Sequence, residues 1–428
     1  AVILAVLGNL AANFQVGSSR GLKPIIDAIN DGGFADLGAR IGDWFWGPSR
    51  VITGENLTTI NEFPFWTFLF ADLHPHLIAL PITVLVIGLI YELFDRRATA
   101  EHPLAGWRLF GLQALLTSFV LGSLAVTNSW DVPTYALLLV GALIGLAWRS
   151  RTRPGFPWLG SIGALLLSGL MVGGGLVFYL SFFQNFQAPV GGIGRVTTPS
   201  PIHQYVLHYG IFLAMLIPLV YVGLWRLLGT QRRGAENISL GMERQRDASA
   251  LGIAAQSSGG QSIWQRLQLV LIVVPILLGF ILSRPTISLQ VWLATLLVMT
   301  VCLLLSRRIS PTVWFTLLMV AMAWAVSLGI EIFYIRDHLD GGGAARMNTV
   351  FKFGNQIWTL MALSTAASLP LLSRWMSRQH WLIQSVVGIV VSGLFVLGLT
   401  FPIFGTMSRS ALRFPIKPGL TLDGLAFM

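Results

Sequence analysis

Runs of about twenty apolar residues recur along this chain, and no other feature restricts its fold so strongly. A hydrocarbon core about 30 Å thick is crossed by roughly 20 apolar residues in a helix. Such stretches occupy 77–94, 107–126, 132–149, 158–181, 206–228, 266–283, 286–305, 311–330, 350–373 and 381–400, and residues 1–14 read as the second half of another. Strands of a membrane barrel alternate apolar and polar side chains over about ten residues. The runs here are unbroken and longer, which predicts helices. The expected fold is an all-α integral membrane protein, a polytopic bundle of about 10–11 transmembrane helices with outer-side loops and interfacial segments.

The charged residues support this. They make up 11% of the 428 residues, against 54% hydrophobic, whereas soluble domains are about a quarter charged. A water-soluble enzyme, a disordered chain and a disulfide scaffold are excluded. Cys302 stands alone inside an apolar run, so no disulfide or thiolate framework exists. The net charge of +10 is spread over short loops, a pattern of topology signals and not of a nucleic-acid surface. Arg96, Arg97 and Arg108, then Arg149, Arg151 and Arg153, then Arg226, Arg232, Arg233, Arg244, Arg246 and Arg266, then Arg307 with Arg308, then Arg374 with Arg378 fall in every second loop. By the positive-inside rule those loops face the cytoplasm. Loops 15–76, 127–131, 182–205, 284–285 and 331–349 and the tail 401–428 then lie outside, and the protein is placed in the plasma membrane with several passes. Ala1 opens inside an apolar run with no Met and no basic n-region, so a part preceding it is expected.

The polar, Gly/Ser-rich stretch 229–262 reads as a flexible cytoplasmic connector. It divides an N-terminal transmembrane bundle, 1–228, from a C-terminal one, 263–428.

Chemistry concentrates in the outer segments. In loop 15–76, Asp27, Asp31, Asp36, Asp43, Glu55, Glu62 and Asp72 alternate with Trp44-Phe45-Trp46 and Phe63-Pro64-Phe65-Trp66, as in a segment anchored in the headgroup zone. The densest part is INEFPFWTFLFADLHPH, where Glu62, Asp72, His74 and His76 crowd a membrane boundary. Ionisable groups there are paired, hydrated or used. They suit a general base, a proton shuttle or ligands of a divalent metal, and a purely structural hydrogen-bonding role stays open. His74 and His76 flank Pro75, which is not the i, i+4 spacing of a zincin pair. In TNSWDVPTY, Trp130 and Asp131 form a polar turn; Asp131 reads either as a helix cap or as a second acid. In EIFYIRDHLDGGGAARMNTVFKF, three glycines precede Arg346, Asn348 and Lys352, and Gly-rich backbone, a helix start and two cations suit a phosphate group. The alternative is a flexible loop with a snorkelling lysine. Gly191-Gly192-Ile193-Gly194-Arg195 lacks the preceding strand of a dinucleotide fingerprint and is given no function.

The segments INEFPFWTFLFADLHPH, NSWDVPTY and RMNTVFKF, in that order, closely resemble segments of a large polytopic membrane family catalogued as a domain of unknown function and nicknamed YYY. The resemblance runs from about Asn9 to Trp358. The tyrosine run of that family and its acidic loop lie upstream of Ala1. The resemblance implies a GT-C-like architecture and an integral-membrane glycosyltransferase using a polyprenyl-phosphate-linked sugar. On that reading Glu62, Asp72 and Asp131 are the catalytic candidates, and His74, His76, Trp130, Arg346, Asn348 and Lys352 bind substrate. Asp72, His74 and His76 would hold Mg or Mn if a metal is used. The expected partners are membrane lipids, the lipid-linked sugar donor and protein subunits of a membrane complex, with no nucleic acid. A non-catalytic scaffold subunit is the alternative function. A transporter ranks below both, because transport sites place ionisable groups near the membrane midplane, whereas Glu92 and Glu331 sit at span ends.

Overall fold

A computed structural model describes residues 2–11, 43–99, 107–150, 160–187, 191–247, 288–306 and 309–413. In chain order the elements are α1 (Val2–Ala5), α2 (Asp43–Trp46), β1 (Thr53–Gly54), β2 (Leu57–Thr58), α3 (Pro64–Phe70), α4 (Pro75–Thr99), α5 (Trp107–Thr127), α6 (Val132–Ser150), α7 (Ser161–Phe178) and α8 (Leu180–Phe183). They continue with β3 (Gly192–Arg195), α9 (Ile202–Asp247), α10 (Leu289–Leu304), α11 (Pro311–Ile332), β4 (Phe333–Arg336), α12 (Met347–Met376) and α13 (Trp381–Arg413). The strands form two small antiparallel ribbons, β1 with β2 and β3 with β4. The regular structure of the described residues is otherwise helical, as the continuous apolar runs predict.

Among the described residues, 7 helices are long and apolar enough to cross a membrane, in α4, α5, α6, α7, α9, α11 and α13. The expected run at 266–283 lies outside the described residues, as do Asp27, Asp31 and Asp36. The run at 286–305 forms the 16-residue α10, short for a full crossing. Helix α12 has the length, but Thr349, Gln356, Thr359, Ser364, Thr365 and Ser368 make a buried polar seam along it. Those groups face the interior of the bundle and not lipid; Thr349, Gln356, Thr359 and Ser368 find partners there, while the hydroxyls of Ser364 and Thr365 have none among the described residues.

Three expectations about organisation change. Backbone helix α9 continues through the start of the expected connector as far as Asp247, and 248–262 lies outside the described residues. The two expected bundles also interpenetrate. Helix α9 packs on α10 and α12, while α11 packs on α4 and α6, and one hydrophobic core takes in residues from Leu4 to Phe401. At the other end, the expected tail begins as helix, because α13 runs past Pro402 to Arg413.

Close backbone approach sets the crossings. A Cβ at Gly122 of α5 would stand 2.2 Å from the carbonyl oxygen of Gly175 on α7, and one at Gly145 of α6 would strike the Trp314 ring of α11 at 1.9 Å. Small residues at such crossings let apolar helices pack without a solvent-driven force.

The aromatic stretches expected at the headgroup level are mostly inside. Phe45, Phe63 and Trp66 are buried, with Trp46 exposed. Phe45 and Trp66 stack with centroids 5.1 Å apart, Phe63 stacks on Trp358 at 5.2 Å, and Trp66 Nε1 donates to the Phe45 carbonyl at 2.7 Å. The rings find apolar area and a backbone acceptor within the fold, which leaves no reason for them to anchor elsewhere.

Candidate functional site

The first part of the site is built by a tight reversal between α3 and α4. Pro64 starts α3, where a missing N–H is harmless, and the helix ends at Ala71, whose φ of 59° is left-handed. The chain turns back through Asp72, and the His74 carbonyl accepts the N–H groups of Leu77 and Ile78 at the start of α4. Glu62, just before α3, is thereby set against His76 in the first turn of α4. Glu62 Oε2 lies 3.4 Å from His76 Nε2 and accepts a hydrogen bond from Thr67 Oγ1 at 3.0 Å. Both Glu62 and His76 are buried. The pair is close enough for strong coupling, yet off hydrogen-bond alignment: His76 Nδ1 and Nε2 have no hydrogen-bond partner.

The second part is the turn Ser129–Asp131 between α5 and α6. Gln356 of α12 donates from Nε2 to the Trp130 carbonyl at 2.8 Å, and Thr134 Oγ1 donates to Gln356 Oε1. Asp131 is buried and accepts from Thr83 Oγ1 of α4 at 3.4 Å. Its carboxylate faces a neighbouring helix, so the capping alternative does not describe it. Thr67, His76, Thr83, Asp131, Tyr135 and Gln356 line a shared cavity of ≈ 20 Å³. That is room for about one water, and the orphaned nitrogens of His76 supply it with polar partners. Thr83 lies eight residues into α4, so the cavity reaches roughly 12 Å along the bundle from the helix start.

Lys352 completes the group. Its side chain is half-buried, with Nζ 4.6 Å from the centre of the Phe351 ring. Among the described residues it makes no ion pair, and the charges of Glu62 and Asp131 both act on it. The edge of the same Phe351 ring meets His76 at 4.8 Å. One ring therefore touches both the cation and the imidazole.

The other expected site residues lie apart from this cavity. Asp72 and His74 pair at 3.1 Å near the surface, with side chains 57% and 29% exposed. Trp130 contributes its carbonyl, while its ring meets Phe353. Asn348 donates to Asp337 at 2.7 Å. Arg346 is a structural clamp: its guanidinium meets Glu331 at 2.9 Å and the carbonyls of Thr198 and Ile330 at 2.7 Å each. Glu331 in turn accepts from the Ser200 N–H and hydroxyl, both at 2.7 Å. A buried carboxylate needs such a partner, and the terminal nitrogens of the arginine expected on phosphate are taken up by that need.

The metal set Asp72, His74 and His76 does not fit a shared ion. His74 turns to Asp72 and His76 to Glu62, so the imidazoles serve separate carboxylates. Among the described residues no three His, Cys, Asp or Glu side chains converge on a metal position.

Sequence reading brought Glu62, His76, Asp131 and Lys352 forward and missed Thr67, Thr83, Thr134 and Gln356. The available signal was a polar side chain inside an otherwise apolar run.

Over residues 1–361 the chain matches the family described as Uncharacterized membrane protein (DUF2298), and it belongs to that family. Neither a curated protein nor a solved structure matches it.

Proposed function

We propose that this member of an uncharacterized membrane family is an integral-membrane glycosyltransferase using a polyprenyl-phosphate-linked sugar on the non-cytoplasmic face of the plasma membrane, in the manner of GT-C enzymes. One observation supports the reading: His76 and Asp131 line one polar cavity, with Glu62 set 3.4 Å behind His76 and Lys352 near enough for the charges of Glu62 and Asp131 to act on it.

In the proposed step an acceptor hydroxyl loses its proton to the Asp131 carboxylate as its oxygen bonds to the anomeric carbon. The bond from that carbon to the phosphate oxygen breaks, and the lipid phosphate leaves with the electron pair. Positioned proton transfer of this kind is worth about 10²–10⁴-fold in rate. Lys352, half-buried and without an ion pair among the described residues, stabilises the departing phosphate, and a cation in a water-poor site does so more strongly than in water. Glu62 lies 3.4 Å from His76, which lines the cavity. No step is routed through a metal, since among the described residues no donor set converges on one position.

The test is transfer from a labelled polyprenyl-phosphate hexose by protein in lipid nanodiscs. Asp131→Asn and Lys352→Ala are each expected to lower the rate at least about 100-fold. Wild-type rates in both variants sink the assignment.

The scaffold reading has its own observation. Helix α13 carries a 30-residue apolar stretch of which an 18-residue part is only 11% buried within the protein, a long face that partner helices would cover. Recovery of the protein at fixed stoichiometry with other subunits, with no transfer activity, is the outcome that favours it.

A further inference from the structure

A second polar cleft, separate from the Asp131 cavity, lies where β3 and β4 meet the glycine turn before α12. The ribbon pairs Arg195 with Phe333 and Gly194 with Tyr334. Gly194 has a specific reason: a Cβ there would stand 2.3 Å from Cζ of the Tyr334 ring, which lies across the strand. After β4 the chain turns through Gly341, whose φ of 92° is left-handed. Gly343 is fastened to the other ribbon, its carbonyl accepting from Thr58 N–H at 2.8 Å. Between these parts is a cleft of ≈ 380 Å³, within the range of about 300–1,000 Å³ for small-ligand sites.

The lining offers donors in excess of acceptors. Arg195 is exposed on the cleft wall and, among the described residues, makes no ion pair or hydrogen bond through its guanidinium. Arg346 forms the floor; although its terminal nitrogens are engaged, its buried Nε has no partner. The N–H groups of Gly341, Gly342 and Gly343 find no acceptor among the described residues. Nearby carboxylates are already occupied. Asp340 accepts from Tyr334 Oη at 2.7 Å and pairs with Arg336, and Asp337 is held by Asn348. Successive free N–H groups around a left-handed residue form an anion-binding concavity, and a free guanidinium adds a two-pronged donor for phosphate oxygens.

We infer that this cleft binds a phosphate group, held by Arg195, the Gly341–Gly343 backbone and Arg346 Nε. The inference does not depend on the transfer reading, because none of these groups lines the Asp131 cavity. It also uses the Gly192–Arg195 segment, to which sequence reading gave no role. The phosphate belongs either to a free phosphorylated compound or to a lipid headgroup, and two arms separate these sources.

In the first arm, detergent-purified protein is titrated with pyrophosphate by calorimetry. In the second, the protein in nanodiscs of phosphatidylcholine with or without phosphatidylglycerol is scored for retained anionic lipid by native mass spectrometry. Arg195→Ala removes an exposed, unpaired side chain and leaves the fold in place. It is expected to weaken binding about 10- to 100-fold, the value of charge-assisted hydrogen bonds, with Arg195→Lys intermediate. Arg195-dependent binding of pyrophosphate assigns a free ligand, and Arg195-dependent retention of phosphatidylglycerol alone assigns a headgroup. Binding in neither arm, or binding unchanged in Arg195→Ala, overturns the inference. The Asp131→Asn and Lys352→Ala transfer assays are unaffected by either result.

Discussion

Gln356 Nε2 donates to the Trp130 carbonyl at 2.8 Å, tying the turn that carries Asp131 to the helix that carries Lys352. The same amide accepts from Thr134 at the start of α6. One buried side chain therefore sets the spacing of an acid and a cation that are 221 positions apart in the chain, between Asp131 and Lys352.

Gln356→Leu keeps the volume and removes both bonds. It leaves the Thr134 hydroxyl without its acceptor, and such a loss costs about 1–3 kcal/mol. The measurement is thermal unfolding in detergent. An unchanged midpoint together with unchanged transfer would show that the link is idle.

The Glu62–His76 pair is expected to show coupling. Removing Glu62 leaves His76 buried without its carboxylate neighbour, and removing His76 leaves Glu62 with the Thr67 hydroxyl alone; a buried polar group deprived of its neighbour costs about 1–3 kcal/mol. A double-mutant cycle of Glu62→Gln and His76→Gln, read by denaturant stability, is expected to be strongly non-additive. Simple addition would mean that the two side chains are neighbours without interaction.

Arg346→Lys is a sharper test of the clamp than alanine. Lysine keeps the charge but cannot reach Glu331, Thr198 and Ile330 together as the planar guanidinium does. A loss of about 3–5 kcal/mol is expected. A variant as stable as the parent would return Arg346 to the list of groups free to bind substrate.

Helix packing makes a paired prediction. Gly122→Ala pushes a methyl group against the Gly175 carbonyl and is expected to destabilise by about 1–3 kcal/mol. Gly169→Ala, on α7 with nothing within 4 Å of the added Cβ, is expected to stabilise by up to about 1 kcal/mol. Equal melting temperatures for the two variants contradict the α5–α7 crossing.

Orientation is tested in intact cells on a Cys302→Ser background. Asp72→Cys, at an exposed position, is expected to react with a membrane-impermeant maleimide. Leu305→Cys, 61% exposed at the opposite end of its helix from Ser288, is expected to react only after permeabilisation. The reverse pattern places the Asp131 cavity on the cytoplasmic side.

Most of the helical architecture was legible because a lipid-facing helix must be apolar along its whole length. The run 311–330, for example, becomes α11 with almost the same bounds. Glu62, His76, Asp131 and Lys352 were also legible, since ionisable side chains at a membrane boundary stand out. Their partners were not. Glu331 and Arg346 are 15 positions apart, but their pairing depends on β4 and the glycine turn folding back over α11, and periodicity carries no information about that return. Thr83 looked like one more small residue in an apolar run; its role appears only when α4 is set beside the 129–131 turn. The aromatic stretches misled for a related reason. Rings that suit a headgroup zone suit a stacked core equally well, and Phe45 on Trp66 took the second course.

The cavity beside Asp131 admits little more than a single solvent molecule. Any larger molecule could enter only if α12 parted from the 129–131 turn, and that parting would break the Gln356–Trp130 tether. Access to the cavity is therefore set by how often those elements separate, and bilayer thickness and lateral pressure, which act on helix packing, would set that frequency.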